Sequence, residues 1–373
     1  LEFRRVLFRS EKFCADGKLE GESPLWLVPV SMSTASSPGE AVHKCVLEKR
    51  EETVIIDNVK PEDWIKMNTG GVGFYRTQYS SEMLECLMPG IKDQTLPPRD
   101  RLGLQSDLFA LARAGVSSSV DVLKMAQAFI NEPNYTVWSD LSANLSTFSI
   151  LLQYTDFHDQ FQAYIRNLFG AVADKLGWDP KDGEGHLDAL LRSLVIGKMG
   201  RNGHEGTVAE AKKRFAAHCS GECVLPADLR TPVYTTVLTH GGEAEYDSLL
   251  KLFRAADLHE EKVRIMRSLG ANKDPKLIQR TLDFSLGDEV RSQDTVFVIA
   301  GVTGSVEGRE LAWKFLVDKW AVLHDRYKGG FLLARLIKVT GENFATEERS
   351  QEIEKFFTEH PAPAAARCIK QAL

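Results

Sequence analysis

YDSLLKLFRAADLHEEKVRIMRSLGANKDPKLIQRTLDFSLGDEV, residues 246–290, decides the fold of this chain. Apolar residues recur in it at helical spacing: Leu249, Leu250 and Phe253, then Ile265 and Leu269, then Leu277, Ile278 and Leu282. Short polar turns separate the three runs. The pattern continues through QDTVFVIAGV (293–302) and GRELAWKFLVDKWAVL (308–323), so Tyr246 to Phe357 reads as five or six consecutive amphipathic helices. Each is too short to be stable alone and must bury its apolar face against its neighbours. Such repetition predicts an α-solenoid, a stack of helix pairs. A surface of that kind binds or covers something; it performs no chemistry by itself.

Outward from this stretch, helical periodicity holds from Ser80 to the end, giving roughly fifteen helices and no convincing strand. SEMLECLMPGI (81–91) reads as a helix stopped near Pro89 and Gly90. LPPRDRLGLQSDLFALARAG (96–115) opens on a proline pair with an Asp100 cap and closes at Gly115. Before Ser80 the texture is β: WLVPVSMST (26–34), KCVLEKR (44–50) and ETVIIDNV (52–59), the last bounded by a turn at Pro61. WIKMNTGGVGFYRTQY (64–79) reads as two further strands joined by a Gly70-Gly71 hairpin. The expected architecture is therefore mainly α: a HEAT-like α-solenoid over 80–373, preceded by a small, incomplete β-sandwich over 11–79. LEFRRVLFRS (1–10) joins the rest abruptly and lacks the apolar region and cleavage site of a signal peptide. It reads as a cloning or assembly scar and is set aside from the fold.

Composition excludes several classes. Apolar content of 43% and charged content of 26% are those of a globular protein. The net charge of -6, with both signs interspersed, gives no basic face for nucleic acid. No run of about 18 apolar residues is present to span a membrane. Six scattered cysteines, at 14, 45, 86, 219, 223 and 368, read as reduced and mostly buried thiols of a cytoplasmic protein.

Candidate chemistry is sparse. A zinc-peptidase helix needs H-E-x-x-H, two His four residues apart with Glu between them to activate water. His204-Glu205 meets Val208 where the second His should stand, and His259-Glu260 meets Val263. Both read as surface polar pairs, so no metal is expected in this chain. Cys219-x3-Cys223 beside His218 lacks a partner pair and reads as a helix end. GGVG (70–73) is a turn rather than a phosphate cradle. Trp64, Trp138, Trp178, Trp313 and Trp320 sit at apolar positions and read as core. His43, His158, His240 and His324 read as surface or helix-end residues. No nucleophilic triad can be assembled from spacing alone.

Several phrases together resemble one family. PEDWIKMNTGGVGFYRTQYS (61–80), LPPRDRLGLQSDLFALARAG (96–115), NEPNYTVWSDL (131–141), LGWDPKDGEGHLDALLR (176–192), QDTVFVIAGV (293–302) and HPAPAAAR (360–367) look like the C-terminal half of a puromycin-sensitive-type aminopeptidase of the M1 zinc metallopeptidase family. The resemblance runs from Lys12 to the end. It implies a β-sandwich followed by a helical bowl of HEAT-like pairs, parts that flank the catalytic domain in such enzymes. The family's G-A-M-E-N and H-E-x-x-H motifs are absent here. The resemblance therefore implies a non-catalytic C-terminal region, inactive alone, without catalytic or metal-binding residues of its own. Zinc is expected in the catalytic domain of the parent, which would remove amino-terminal residues from peptides.

In that setting the expected partners are the catalytic domain of the same polypeptide and peptide substrates, with no nucleic acid and no membrane. The bowl would enclose the peptide chamber and limit access to it. Family bowls can present cations to the carboxylate end of a peptide, a task suited to Arg and Lys. Arg291, Arg335 and Lys338, placed on helices of the strongest matching region, are the candidates, with ordinary solvated charge the competing reading. Two alternatives differ in class: a free-standing helical-repeat module that binds a protein, and a natural truncated isoform. A start inside the β-sandwich and an end short of the family's last helices favour an incomplete gene model over a module.

Overall fold

The computed structural model describes residues 3–15, 17, 21, 24–60 and 62–373, with Phe3 as backbone only. The turn expected at Pro61 lies outside the described residues. The chain divides into two compact units, Leu1–Leu145 and Ser146–Leu373.

The first unit begins with five strands: β1 (Phe3–Arg9), β2 (Val28–Thr34), β3 (His43–Leu47), β4 (Glu51–Asp57) and β5 (Ile65–Met67). They form two small antiparallel sheets, β1-β4 and β3-β2-β5. Val30, Met32, Leu47, Ile56 and Ile65 turn inward and are buried, as period-two alternation requires. Residues 3–9, set aside in the sequence reading, enter this region: Val6 pairs with Val54 across β1 and β4 and is buried.

The hairpin expected over 64–79 does not form. After β5 the chain enters a single 3-10 turn at Thr69–Gly71, and no strand follows it. Asn68, Gly70 and Gly71 all have positive φ, a left-handed run that closes the turn, and the residues after it pair with no strand. The Asn68 side chain holds the coil: its Oδ1 accepts from Gly73 N at 2.7 Å and its Nδ2 donates to Gly73 O at 2.9 Å.

Three helices complete most of the first unit: α1 (Ser81–Lys92), α2 (Pro98–Arg113) and α3 (Ser119–Ala126). Helix α1 runs through Pro89 rather than stopping there. In the last turn Pro89 forfeits one donor, and its carbonyl still accepts from Asp93 N at 3.0 Å. Asp100 lies in the first turn of α2 without capping it. Its Oδ1 accepts from Gly70 N at 2.7 Å and lies 3.6 Å from Lys66 Nζ, so it fastens the coil to the helix. Asp107, two turns on, holds Thr77 N at 3.0 Å and Arg76 at 3.1 Å. The segment after the coil is thus tied to α2 by carboxylates, which is why it needs no strand partner.

One buried clamp joins residues from two of the phrases quoted above. Arg101, from LPPRDR, donates Nε and Nη2 to both oxygens of Glu132, from NEPNYTVW, at 2.6 and 2.8 Å. Arg101 also donates to Leu96 O, Asn134 N donates to Glu132 Oε1 at 2.9 Å, and Trp138 Nε1 donates to Glu132 O at 2.7 Å.

Helix α4 (Tyr135–Leu152) carries the chain into the second unit. There follow α5 (His158–Leu176), α6 (His186–Arg201), α7 (Glu205–Ser220), α8 (Ala227–Thr239), α9 (Glu243–Ala255) and α10 (His259–Leu269). Next come α11 (Pro275–Ser285), α12 (Thr295–Val302), α13 (Val306–Asp318), α14 (Trp320–Tyr327), α15 (Phe331–Gly341), α16 (Glu347–Glu359) and α17 (Ala366–Ala372). That makes seventeen α-helices among the described residues, and no strand after Ser80. Their contacts give two layers. Helices α6, α8, α10, α12 and α15 pack each on the next, while α5, α7, α9 and α11 back α6, α8, α10 and α12 in turn. This is the helix-pair repeat expected from 246–290.

Leu249, Leu250, Phe253, Ile265 and Leu269 enter one core cluster, and Ile278, Leu282, Val296, Ile299, Trp313, Leu336 and Phe357 another. Trp64, Trp138 and Trp313 are buried as expected; Trp178 and Trp320 are half-buried against the cores. The cysteines differ from expectation: all six are free, but none is fully buried, and Cys219 and Cys223 are exposed. No helix among the described residues is long and apolar enough to cross a membrane.

Candidate functional site

Helix α12 is apolar on almost every side. Val296, Val298, Ile299 and Val302 are buried, leaving Phe297 half-buried at the surface of the layer. Its neighbours in that layer, α10 and α15, each lay an arginine over the Phe297 ring. Arg267 Cζ is 4.6 Å from the ring centroid and Arg335 Cζ is 5.0 Å from it. Both arginines are exposed, and among the described residues neither has a carboxylate within ion-pairing distance. Stacking on the ring occupies a face of each guanidinium and leaves its N–H edge for a ligand.

A close helix crossing makes the arrangement possible. A Cβ on Gly301, one turn beyond Phe297, would stand 2.6 Å from Arg267 O, and a Cβ on Gly270 would stand 2.2 Å from the Gly301 carbonyl carbon. Only glycines let the two backbones approach so closely, and that approach carries Arg267 to the ring.

Of the three cations selected from sequence, Arg335 belongs to this group. Lys338 lies one turn further along α15, 4.0 Å from Glu342. Arg291 is a correction: it falls in the turn between α11 and α12, not on a helix, and no hydrogen bond, ion pair or ring contact ties its side chain to Phe297. Arg267 and Phe297 escaped the sequence reading. Phe297 was hidden in an apolar run that reads as uniform core, and Arg267 carries no local motif.

A second polar group links α7, α8 and α10. Buried Glu261 lies 3.0 Å from Arg230, accepts from Tyr234 Oη at 2.9 Å and contacts Arg264. Burial pushes the Glu261 carboxyl up, yet the bonds from Arg230 and Tyr234 hold it below the usual carboxylate range. His218 extends the chain of bonds. Its Nδ1 accepts from Leu225 N at 3.3 Å, so in the neutral ring Nε2 carries the proton and meets Tyr234 Oη at 3.2 Å. Burial, then the Arg230 charge, lowers the His218 pKa; burial also lowers that of His158. A folded value below the unfolded one means that the unfolded chain binds more protons as pH falls. Stability is therefore expected to decline as pH drops below about 6.5, where an unfolded His titrates. His218→Gln should flatten part of this decline, as read by urea unfolding at pH 7.5, 6.5 and 5.5; an unchanged slope would count against the arrangement.

Among the described residues no three His, Cys, Asp or Glu side chains group to hold a metal. His204 caps α7 by accepting from Thr207 N at 3.2 Å. His259 Nε2 lies 3.2 Å from buried Asp294 Oδ2, close enough for charge pairing but not aligned as a hydrogen bond.

A small β region is thus followed by a two-layer helical-repeat stack, with the two cations on Phe297 in one layer. By sequence the chain belongs to the ERAP1-like C-terminal domain family, which matches residues 64–373. It is 38% identical to Aminopeptidase M1 of Arabidopsis thaliana over 83% of this chain and 36% of that protein. It is 33% identical to Aminopeptidase M1-B of Oryza sativa subsp. japonica, over 97% of this chain and 42% of the relative. With the Puromycin-sensitive aminopeptidase of Caenorhabditis elegans it shares 27% identity over 95% of this chain and 38% of the relative. The chain thus spans about two fifths of the length of these relatives.

Proposed function

We propose that this chain is the non-catalytic C-terminal region of an M1 zinc aminopeptidase, and that its α10–α12–α15 face receives the carboxylate end of a peptide. The observation that carries the reading is the pair of exposed guanidiniums on Phe297, unclaimed by any acid among the described residues, in a chain of this family. In the parent, zinc and its ligands belong to the remaining length of the polypeptide, and the peptide's amino terminus is cleaved there. The helical stack encloses the far end of the peptide and limits access to the chamber.

Charge-assisted bonds from Arg to carboxylate favour such an end over an amide. The purified chain, supplied with zinc and an aminoacyl fluorogenic substrate, is expected to show no turnover above blank. It should still bind a short peptide with a free carboxylate, and lose about tenfold in affinity when that carboxylate is amidated. Equal binding of the two peptides would sink the proposed role of this face.

A further inference from the structure

We infer that the Arg267–Phe297–Arg335 group is a dianion site, selecting peptides whose last residue is itself acidic and so brings two carboxylates. The inference rests on the reading of this face as a carboxylate receiver and narrows its ligand. Arg267 and Arg335 come from the helices on either side of α12 and share one ring, at 4.6 and 5.0 Å from its centroid. The two guanidinium carbons are therefore within about 10 Å of each other. One carboxylate satisfies one guanidinium fork in bidentate fashion and leaves the other cation unpaired. A terminal Glu supplies its α-carboxylate and its side-chain carboxylate on one short linker, able to reach both guanidiniums.

Among the described residues no acid pairs with Arg267 or Arg335. Glu260 is paired with Arg264 and Glu261 with Arg230 and Arg264, Asp294 lies buried 3.2 Å from His259, and Glu342 lies 4.0 Å from Lys338. Two cations beside each other and without acidic partners repel, and a dianion removes that repulsion more completely than a monoanion does. Arg335 from α15 and Arg267 from α10 are thus complementary halves, and losing either should reduce the site to ordinary carboxylate binding.

The test uses the full 373-residue chain and three short peptides of one sequence, ending in Glu, in Gln and in Gln-amide. Isothermal titration at low salt should show the Glu peptide binding about tenfold tighter than the Gln peptide. Arg267→Gln and Arg335→Gln should each bring that ratio close to one. Both side chains are exposed, so both variants should fold, as circular dichroism can verify. Equal affinity for the Glu and Gln peptides, with the amide weaker, overturns the dianion site while leaving the carboxylate reading standing. Equal affinity for all three overturns both. A Glu preference that survives both substitutions places acid recognition elsewhere and also overturns the assignment.

Discussion

Glu132→Ala is expected to destabilise the first unit by about 3–5 kcal/mol, the cost of breaking a buried ion pair from one side. Arg101 and Glu132 are both almost fully buried and meet through two bonds at 2.6 and 2.8 Å. Removing the carboxylate leaves the Arg101 guanidinium dehydrated, with Leu96 O its only remaining acceptor among the described residues. It also deprives Asn134 N of its acceptor beside the start of α4. The measurement is urea unfolding followed by tryptophan fluorescence, since Trp138 is buried and donates to Glu132 O. Arg101→Met with Glu132→Leu removes both charges and should recover most of the loss, because paired buried charges are often replaceable by apolar residues. A loss below about 1 kcal/mol in the single variant would show that the pair is solvated.

That clamp also marks the limit of what a sequence discloses. The periodicities of two and 3.6 placed strands β2 to β4 and the helical stack because burial on one face imprints itself locally. LPPRDR and NEPNYTVW stand out as phrases, but the bond between Arg101 and Glu132 joins positions 31 apart and leaves no spacing rule behind. Asp100 was misread for a related reason. An Asp in a first helical turn ordinarily serves that turn, whereas here it serves Gly70 and Lys66. The glycines at 70 and 71 signalled a turn correctly; whether a strand or a side-chain-tethered segment follows depends on Asp107, on another element. The candidate site was half legible. Arg335 is legible as a cation of a matching region, while Arg267 reaches the ring through the close approach of α10 to α12 at Gly270 and Gly301, which no local motif encodes. Arg291, chosen by the same rule as Arg335, does not join the group.

Arg309→Ala should cost the second unit about 3–5 kcal/mol and loosen parts of the stack far from the substitution. A helical solenoid normally touches only its sequence neighbours, so its repeats can fray one at a time. This one has a long-range fastening. Arg309, on α13 and 1% exposed, donates Nε to Tyr154 Oη at 3.0 Å and Nη2 to Gln153 Oε1 at 2.8 Å, just past the end of α4. It also donates to Thr303 O at 3.2 Å, beyond the last turn of α12, while Gln153 Nε2 donates to Gly304 O at 3.1 Å. The guanidinium lies 5.2 Å from the Tyr154 ring centroid. These bonds join residues about 150 positions apart, so the first helices of the unit and α12–α13 should unfold as one block. Truncation to Ala opens a cavity and leaves Tyr154 and Gln153 without their buried partner. Native-state hydrogen exchange should then show protection falling at the start of α5 as well as at α12 and α13. Tyr154→Phe, which removes one acceptor and keeps the ring, should produce the same pattern more weakly. Loss of protection confined to α13 would mean that the unit frays repeat by repeat after all, and that Arg309 acts only on its own helix.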